Sequence, residues 1–190
     1  PKEKALLESL QAALGQGDIT GLPPLDDEQR KLLSGLGLLC LKPRLAVANI
    51  PEGDLGQDSA SFRQVRDFAA SRNTPALAIC AEVEAQIAEL PEEDRAAFMQ
   101  ELGIASSGLE QLIHLCYGRL GLQTFFTTGE DECRAWTTRV GAHAPEAAGE
   151  IHTNLQRGFI RAEVIDYPTF MECGTLNVAK DKGLLRVEGK

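Results

Sequence analysis

Two short, uninterrupted apolar runs, Leu45-Ala46-Val47-Ala48 and Ala76-Leu77-Ala78-Ile79, constrain the fold of this chain more than any other feature. Each is too short for a helix and lacks the polar alternation of a half-exposed strand, so each reads as a strand of a parallel sheet covered on both faces. Between them residues 62–70 have helical spacing, and Ser59 or Ser61 can cap them. Strand, helix, strand is the simplest reading, with a right-handed crossover.

The flanking segments are predicted to be helical. Leu6, Leu7, Leu10 and Leu14 form one apolar face, and Gly15-Gln16-Gly17-Asp18 supplies a stop and a loop. After Pro23-Pro24, Asp26 or Asp27 can cap a second helix with Leu32, Leu33, Leu36 and Leu39 on one side, ended by Lys42-Pro43. Beyond the second run, helices are expected over residues 82–90, over 91–102 with Pro91 in the first turn and Glu92-Glu93-Asp94 at the positive end of the dipole, and over 109–120. After Gly121 the pattern shifts to short β-rich runs, Thr124-Phe125-Phe126-Thr127, Cys133-Arg134-Ala135-Trp136-Thr137 and residues 159–165, with a short helix over 145–152. An α/β unit followed by a small α+β module is implied.

Composition narrows the function classes. The chain has 190 residues, 43% of them hydrophobic, enough for a packed core. No stretch approaches the roughly 18 consecutive apolar residues of a membrane helix, and the start is amphipathic, not signal-like. The five cysteines are scattered and form no C-x-x-C pair, so neither a disulfide framework nor a zinc site is indicated and a reducing, cytoplasmic setting is expected. The formal charge of -9 argues against a chain-wide nucleic-acid footprint. Residues 1–118 carry 10 basic and 18 acidic side chains against 9 and 10 in residues 119–190, which implies two units with different surfaces.

Ligands of open α/β sheets bind at the carboxyl ends of strands, and Asn49-Ile50-Pro51-Glu52 stands at such an end. In GTP-binding domains the corresponding position carries an Asn followed three residues later by an Asp that accepts from guanine. Here the spacing is kept, but Glu52 replaces that Asp and Ile50 the usual Lys. The second run ends in Cys80-Ala81-Glu82, where such domains place a turn whose backbone N–H groups face the base. Either element alone reads first as an ordinary turn; the pairing of two consecutive strand ends is the stronger signal. Other conspicuous residues have plain structural readings: His114 as a partly buried histidine on an apolar helix face, His152 as a turn residue or an interaction residue, Trp136 as a core anchor, and the cysteines as small hydrophobes.

Taken together, Lys42-Pro43 through Glu52, Cys80-Ala81-Glu82-Val83-Glu84-Ala85-Gln86-Ile87, Arg134-Ala135-Trp136-Thr137, Ala144-Pro145-Glu146-Ala147-Ala148-Gly149-Glu150-Ile151-His152-Thr153, Gly158 to Ile165 and Leu184 to Lys190 resemble the YchF/Obg-like ATPase family of TRAFAC-class P-loop NTPases. The resemblance covers nearly the whole chain. It implies the end of a helical insertion over residues 1–40, the base-recognition part of a P-loop G domain over 41–118, and a β-grasp TGS domain, truncated at its C-terminus, over 119–190. It makes Asn49-Ile50-Pro51-Glu52 the family's N-x-x-E element, which accompanies a preference for ATP, with GTP as a second nucleotide. Asn49, Ile50, Glu52, Cys80, Ala81 and Glu82 are then the nucleotide-binding residues, Asn49 foremost, serving the base edge with both carbonyl and amide while Ile50 and the Cys80 turn flank the ring.

Three departures shape the expectation. No G-x-x-x-x-G-K-[ST] occurs in the sequence, so the chain alone is expected to be inactive, and Mg²⁺ is expected only through the absent phosphate-binding half. Beginning inside a helix at Pro1 agrees with truncation. The acidic residue usual after Ile-His-Thr is Asn154, and the chain stops at Lys190 before a final strand, leaving an open sheet edge. The implied partner is the ribosome, its large subunit or the whole 70S particle, with RNA contact through the TGS module and Arg134, Arg139, Arg157 and Arg161 as candidate phosphate contacts. The alternative is a non-catalytic ribosome- or RNA-binding adaptor. No catalytic or metal-binding residue is assigned.

Overall fold

A computed structural model describes residues 2–16, 25–129 and 132–189, and the chain divides into two compact units, Pro1–Arg119 and Leu120–Lys190. The expected loop at Gly17-Asp18 and the Pro23-Pro24 break lie outside the described residues.

The first unit opens with α1 (Lys2–Gly15) and α2 (Asp27–Ser34). Asp26 caps α2 reciprocally: its Oδ1 accepts from the Gln29 N–H at 2.8 Å and its own N–H donates to Gln29 Oε1 at 3.0 Å. Leu6, Leu10 and Leu33 are buried together, with Leu25, Leu38 and Leu41 against them. The helix does not run on to Lys42-Pro43. It stops at Ser34, because Gly35 and Gly37, the latter at φ +61°, turn the chain. Of the expected leucine face only Leu33 is buried, and Leu39 is 75% exposed.

Strand β1 (Ala46–Asn49) pairs in parallel with β2 (Ala76–Ile79), in the register Ala46↔Ala76 through Asn49↔Ile79. Helix α3 (Ala60–Ala70) crosses between them, its first turn capped by Ser59 Oγ, which accepts from the Phe62 N–H at 3.3 Å. The expectation of strands covered on both faces is not met: Val47 is 44% exposed, while Leu77 is buried. Helices α4 (Ala81–Glu89), α5 (Glu92–Glu101) and α6 (Gly108–Leu120) follow. Pro91 takes the cap position of α5, one residue ahead of the expected first turn. Cys80, Val83 and Ile87 are buried under Leu55, Phe98, Met99, Leu102 and Ile104, so α4 is seated on its apolar side.

In the second unit β3 (Leu122–Thr128) and β4 (Cys133–Arg139) form an antiparallel hairpin, followed by α7 (Ala144–Ile151), α8 (Thr153–Arg157), β5 (Arg161–Val164), α9 (Tyr167–Cys173), α10 (Leu176–Asp181) and β6 (Arg186–Gly189). β5 and β6 pair antiparallel. Among the described residues the two pairs form separate two-stranded sheets. No helix of the described residues is long and apolar enough to cross a membrane.

Candidate functional site

The tips of β1 and β2 lie side by side. The ladder continues one residue past the strands, the Ile50 N–H donating to the Ile79 carbonyl at 2.8 Å. Asn49, the last residue of β1, is exposed and reaches across: its Oδ1 accepts from the Ala81 N–H at 3.0 Å. That bond explains a local anomaly. Cys80 occupies the cap position of α4 but makes no side-chain cap bond, because its side chain is turned into the core, 3% exposed. The neighbouring strand supplies an acceptor for one orphan N–H of this helix start, that of the first residue Ala81, not for the second- or third-position N–H that a Ser or Asp cap takes.

The geometry divides the six sequence-selected residues into two groups. Asn49, Glu52, Ala81 and Glu82 are exposed, with Glu52 at the start of a single 3-10 turn, Glu52–Asp54. Ile50, expected to flank a ring, is 7% exposed, and Cys80 is buried. These two offer a ligand backbone more than side chain. The side-chain carbonyl of Asn49 already accepts from Ala81, which leaves its amide N–H pair as the donor available to a ligand. Beyond Ala81, whose N–H is taken by Asn49, the first-turn N–H groups of α4 have no intrahelical acceptor, which favours an acceptor or partial negative charge in front of them, while Glu82 and Glu84 complement the same helix end.

Sequence reading missed one residue beside this site. Glu84, half-buried on α4, accepts from the Gly108 N–H at 2.6 Å with Oε1 and from the Leu109 N–H at 3.1 Å with Oε2. A carboxylate on one helix thereby caps the next. The usable signal was local to α6: Ser107-x-x-Glu110 is a capping pattern, and Ser107 Oγ does accept from the Glu110 N–H at 3.1 Å.

The other candidates are placed plainly. His114 is exposed on α6, not partly buried. His152 shapes a turn, its Nδ1 accepting from the Asn154 N–H at 3.1 Å. Trp136 is half-buried, donates from Nε1 to Thr127 Oγ1 at 2.9 Å, and carries the Arg134 guanidinium 5.2 Å from its ring centroid. Arg134 and Arg139 are five residues apart on β4 and so point to opposite faces of the hairpin; with Arg157 on α8 and Arg161 on β5 they form no single stripe. The described residues hold no group of three His, Cys, Asp or Glu side chains placed to bind a metal ion.

A family model, YchF-GTPase_C, described as "Protein of unknown function (DUF933)", matches residues 122–190. The "Ribosome-binding ATPase YchF" of Bacillus subtilis (strain 168) is 46% identical over 166 residues, 86% of this chain and 45% of that protein. The protein of the same name from Escherichia coli O157:H7 is 42% identical over 188 residues, 99% of this chain and 52% of that one. The solved structure of the Schizosaccharomyces pombe YchF GTPase superposes with a TM-score of 0.82 at 26% identity, covering 100% of this chain and 51% of that one. The fold is thus that of an α/β protein built like part of a solved YchF chain. Over nearly its whole length the chain is similar to YchF proteins, and it spans about half the length of the curated relatives it matches.

Proposed function

We propose that this chain is the base-reading and TGS-bearing part of a YchF protein that binds ATP, with GTP as a second nucleotide, hydrolyses it in the full-length protein, and associates with the ribosome in the cytoplasm. In this reading residues 1–40 end a helical insertion, 41–118 complete a P-loop G domain, and 119–190 form a β-grasp TGS domain. The observation that carries it is Asn49 at the tip of β1, bonded to Ala81 at the head of α4. With its carbonyl so engaged, Asn49 offers amide N–H groups to an acceptor on a purine ring. The exposed Glu52 carboxylate is an acceptor for the base's N–H groups, and the first-turn backbone of α4 at Ala81 and Glu82 lies alongside. The names of the relatives favour both nucleotides: the bacterial proteins are called ATPases, the Schizosaccharomyces pombe protein a GTPase.

Hydrolysis is assigned to the full-length protein because this sequence contains no G-x-x-x-x-G-K-[ST], whose backbone, Lys and hydroxyl would cradle the phosphates and hold Mg²⁺. The test is an amide-resolved NMR titration of this chain with ATP, GTP and CTP. Purine nucleotides should shift the Ala81 and Glu82 amides, and Asn49→Ala should abolish those shifts. Unmoved strand-tip amides, or an equal response to CTP, would refute the base site.

The missing phosphate-binding motif also favours a second reading, a non-catalytic ribosome- or RNA-binding adaptor. Co-sedimentation with ribosomes distinguishes the two. An adaptor binds equally with and without nucleotide, and a phosphate-contacting surface loses affinity as salt rises.

A further inference from the structure

We propose that Glu84 is a positioning residue for the base site, holding the head of α4 in register with Asn49 by capping α6. The proposal rests on the base-site reading above. Its support is a closed circuit of contacts around the two strand tips. Asn49 and Ile79 are partners in the β1–β2 register. Asn49 Oδ1 ties the tip of β1 to Ala81. Three residues further along α4, Glu84 spans to the first two N–H groups of α6. The circuit closes where Gly108 meets β2: a Cβ built on Gly108 would lie 2.6 Å from Ile79 Cγ2 and 2.9 Å from Glu84 Oε1. The head of α6 is therefore pressed against the residue that pairs with Asn49, and Glu84 holds it there.

Each link is short and polar or sterically tight, so loosening one shifts the others. Without the Glu84 carboxylate, the Gly108 and Leu109 N–H groups turn to water and α6 loses its anchor on α4. The head of α4 is then held by Asn49 and by the burial of Cys80, Val83 and Ile87. Because the proposed base contacts are the backbone of that turn, with the Ala81 N–H held by Asn49 and the Glu82 N–H free for a ligand, plus the Asn49 amide, their spacing depends on the circuit. Glu84 touches no ligand itself. The same circuit runs in reverse: a base seated against Ala81 and Asn49 stiffens α4, and through Glu84 the head of α6.

The experiment uses the full 190-residue chain with adenosine as the probe. Binding is followed by amide-resolved NMR for the wild type, Glu84→Gln and the charge-matched control Glu89→Gln, which alters the last residue of α4 away from the tips. Amide hydrogen exchange at Gly108 and Leu109 is measured with and without adenosine. Glu84→Gln retains one acceptor oxygen and loses the second, so its adenosine affinity should fall about three- to tenfold, whereas Glu89→Gln should bind as the wild type does. In the wild type, adenosine should slow exchange at Gly108 and Leu109, an effect that a merely structural staple would not produce. Wild-type binding with unchanged affinity in Glu84→Gln and no added protection at Gly108 and Leu109 overturns the role of Glu84 and leaves the base site standing. Failure of the wild type to bind adenosine overturns the base site itself. If Glu84→Gln does not fold, the wild-type exchange decides alone: absent protection at Gly108 and Leu109 overturns the proposal.

Discussion

Replacing Gly108 and Gly118 by alanine, one at a time, should change stability in opposite directions although both glycines lie on α6. A Cβ at Gly118 meets no atom within 4 Å, so Gly118→Ala gains only helix propensity and stabilises by about 0.5–1 kcal/mol. At Gly108 the same propensity gain is opposed by two contacts under 3.0 Å, to Ile79 Cγ2 and Glu84 Oε1. Ile79 is a β-branched side chain at a strand end, so it cannot swing away as the tip of a long flexible side chain could. Overpacking of this kind costs about 1–3 kcal/mol, and displacement of the Glu84 carboxylate adds the loss of charge-assisted bonds, so Gly108→Ala should be destabilised by about 1–2 kcal/mol after the propensity gain. Urea unfolding followed by helical circular dichroism measures both. With a slope of about 2 kcal/mol per molar urea, the midpoint should rise by roughly 0.25–0.5 M for Gly118→Ala and fall by roughly 0.5–1 M for Gly108→Ala. A Gly108→Ala protein as stable as the wild type would refute the close approach of α6 to β2, and with it the circuit around the strand tips.

Removing the reciprocal cap of α2 with Asp26→Ala should cost about 1 kcal/mol in urea unfolding of the first unit. Asn49→Ala leaves the Ala81 N–H at a solvent-accessible helix end, so stability should fall by only about 0.5–1.5 kcal/mol while the purine-induced shifts at Ala81 disappear; retained shifts would contradict the site. Val47→Thr tests the open face of β1: at 44% exposure the hydroxyl can reach water, and the cost should stay under about 0.5 kcal/mol, against about 1–3 kcal/mol for a buried valine. Arg186→Ala breaks an exposed 2.9 Å pair with Asp166, both side chains more than half exposed, so thermal unfolding should register a loss of about 0–1 kcal/mol, smaller still at high salt.

The elements that were legible in the sequence are those whose signal is local. The two apolar runs became β1 and β2 within a residue of their expected ends, and Ser59 and Asp26 were readable as caps because a short polar acceptor precedes a periodic segment. Reading α2 as far as Lys42 failed because leucine spacing was given more weight than Gly35 and Gly37, whose backbone freedom ends the helix. Helices α9 and α10 were missed because each is only about two turns long; Pro168 in the first turn of α9 and Gly174, at φ +75°, after its end look like loop punctuation. At the candidate site, the nearness of Asn49 and Ala81 followed from two strands ending in step. The bond from Gly108 to Glu84 did not, since it joins positions 24 residues apart with no periodic pattern between them.

Exposure of β1 changes how the strand tips are held. Two parallel strands of four residues form few ladder bonds, and with Val47 open to solvent the sheet supplies packing mainly through Leu77 on β2. A ladder that short, one face partly wet, has little resistance to fraying at its ends. Yet Asn49, Ile79 and Ala81 sit at the carboxyl end, where fraying would begin. The restraint there comes from outside the ladder: the Asn49 bond to Ala81, the seat of α4 on Leu55 and Phe98 through Cys80 and Val83, and the contact of Gly108 with Ile79 under the Glu84 cap. Side-chain ties thus restrain the tips in addition to the ladder. This places the restraints on the strand tips on α4 and α6, where the Glu84 carboxylate, unremarked in the sequence, joins the two helix heads.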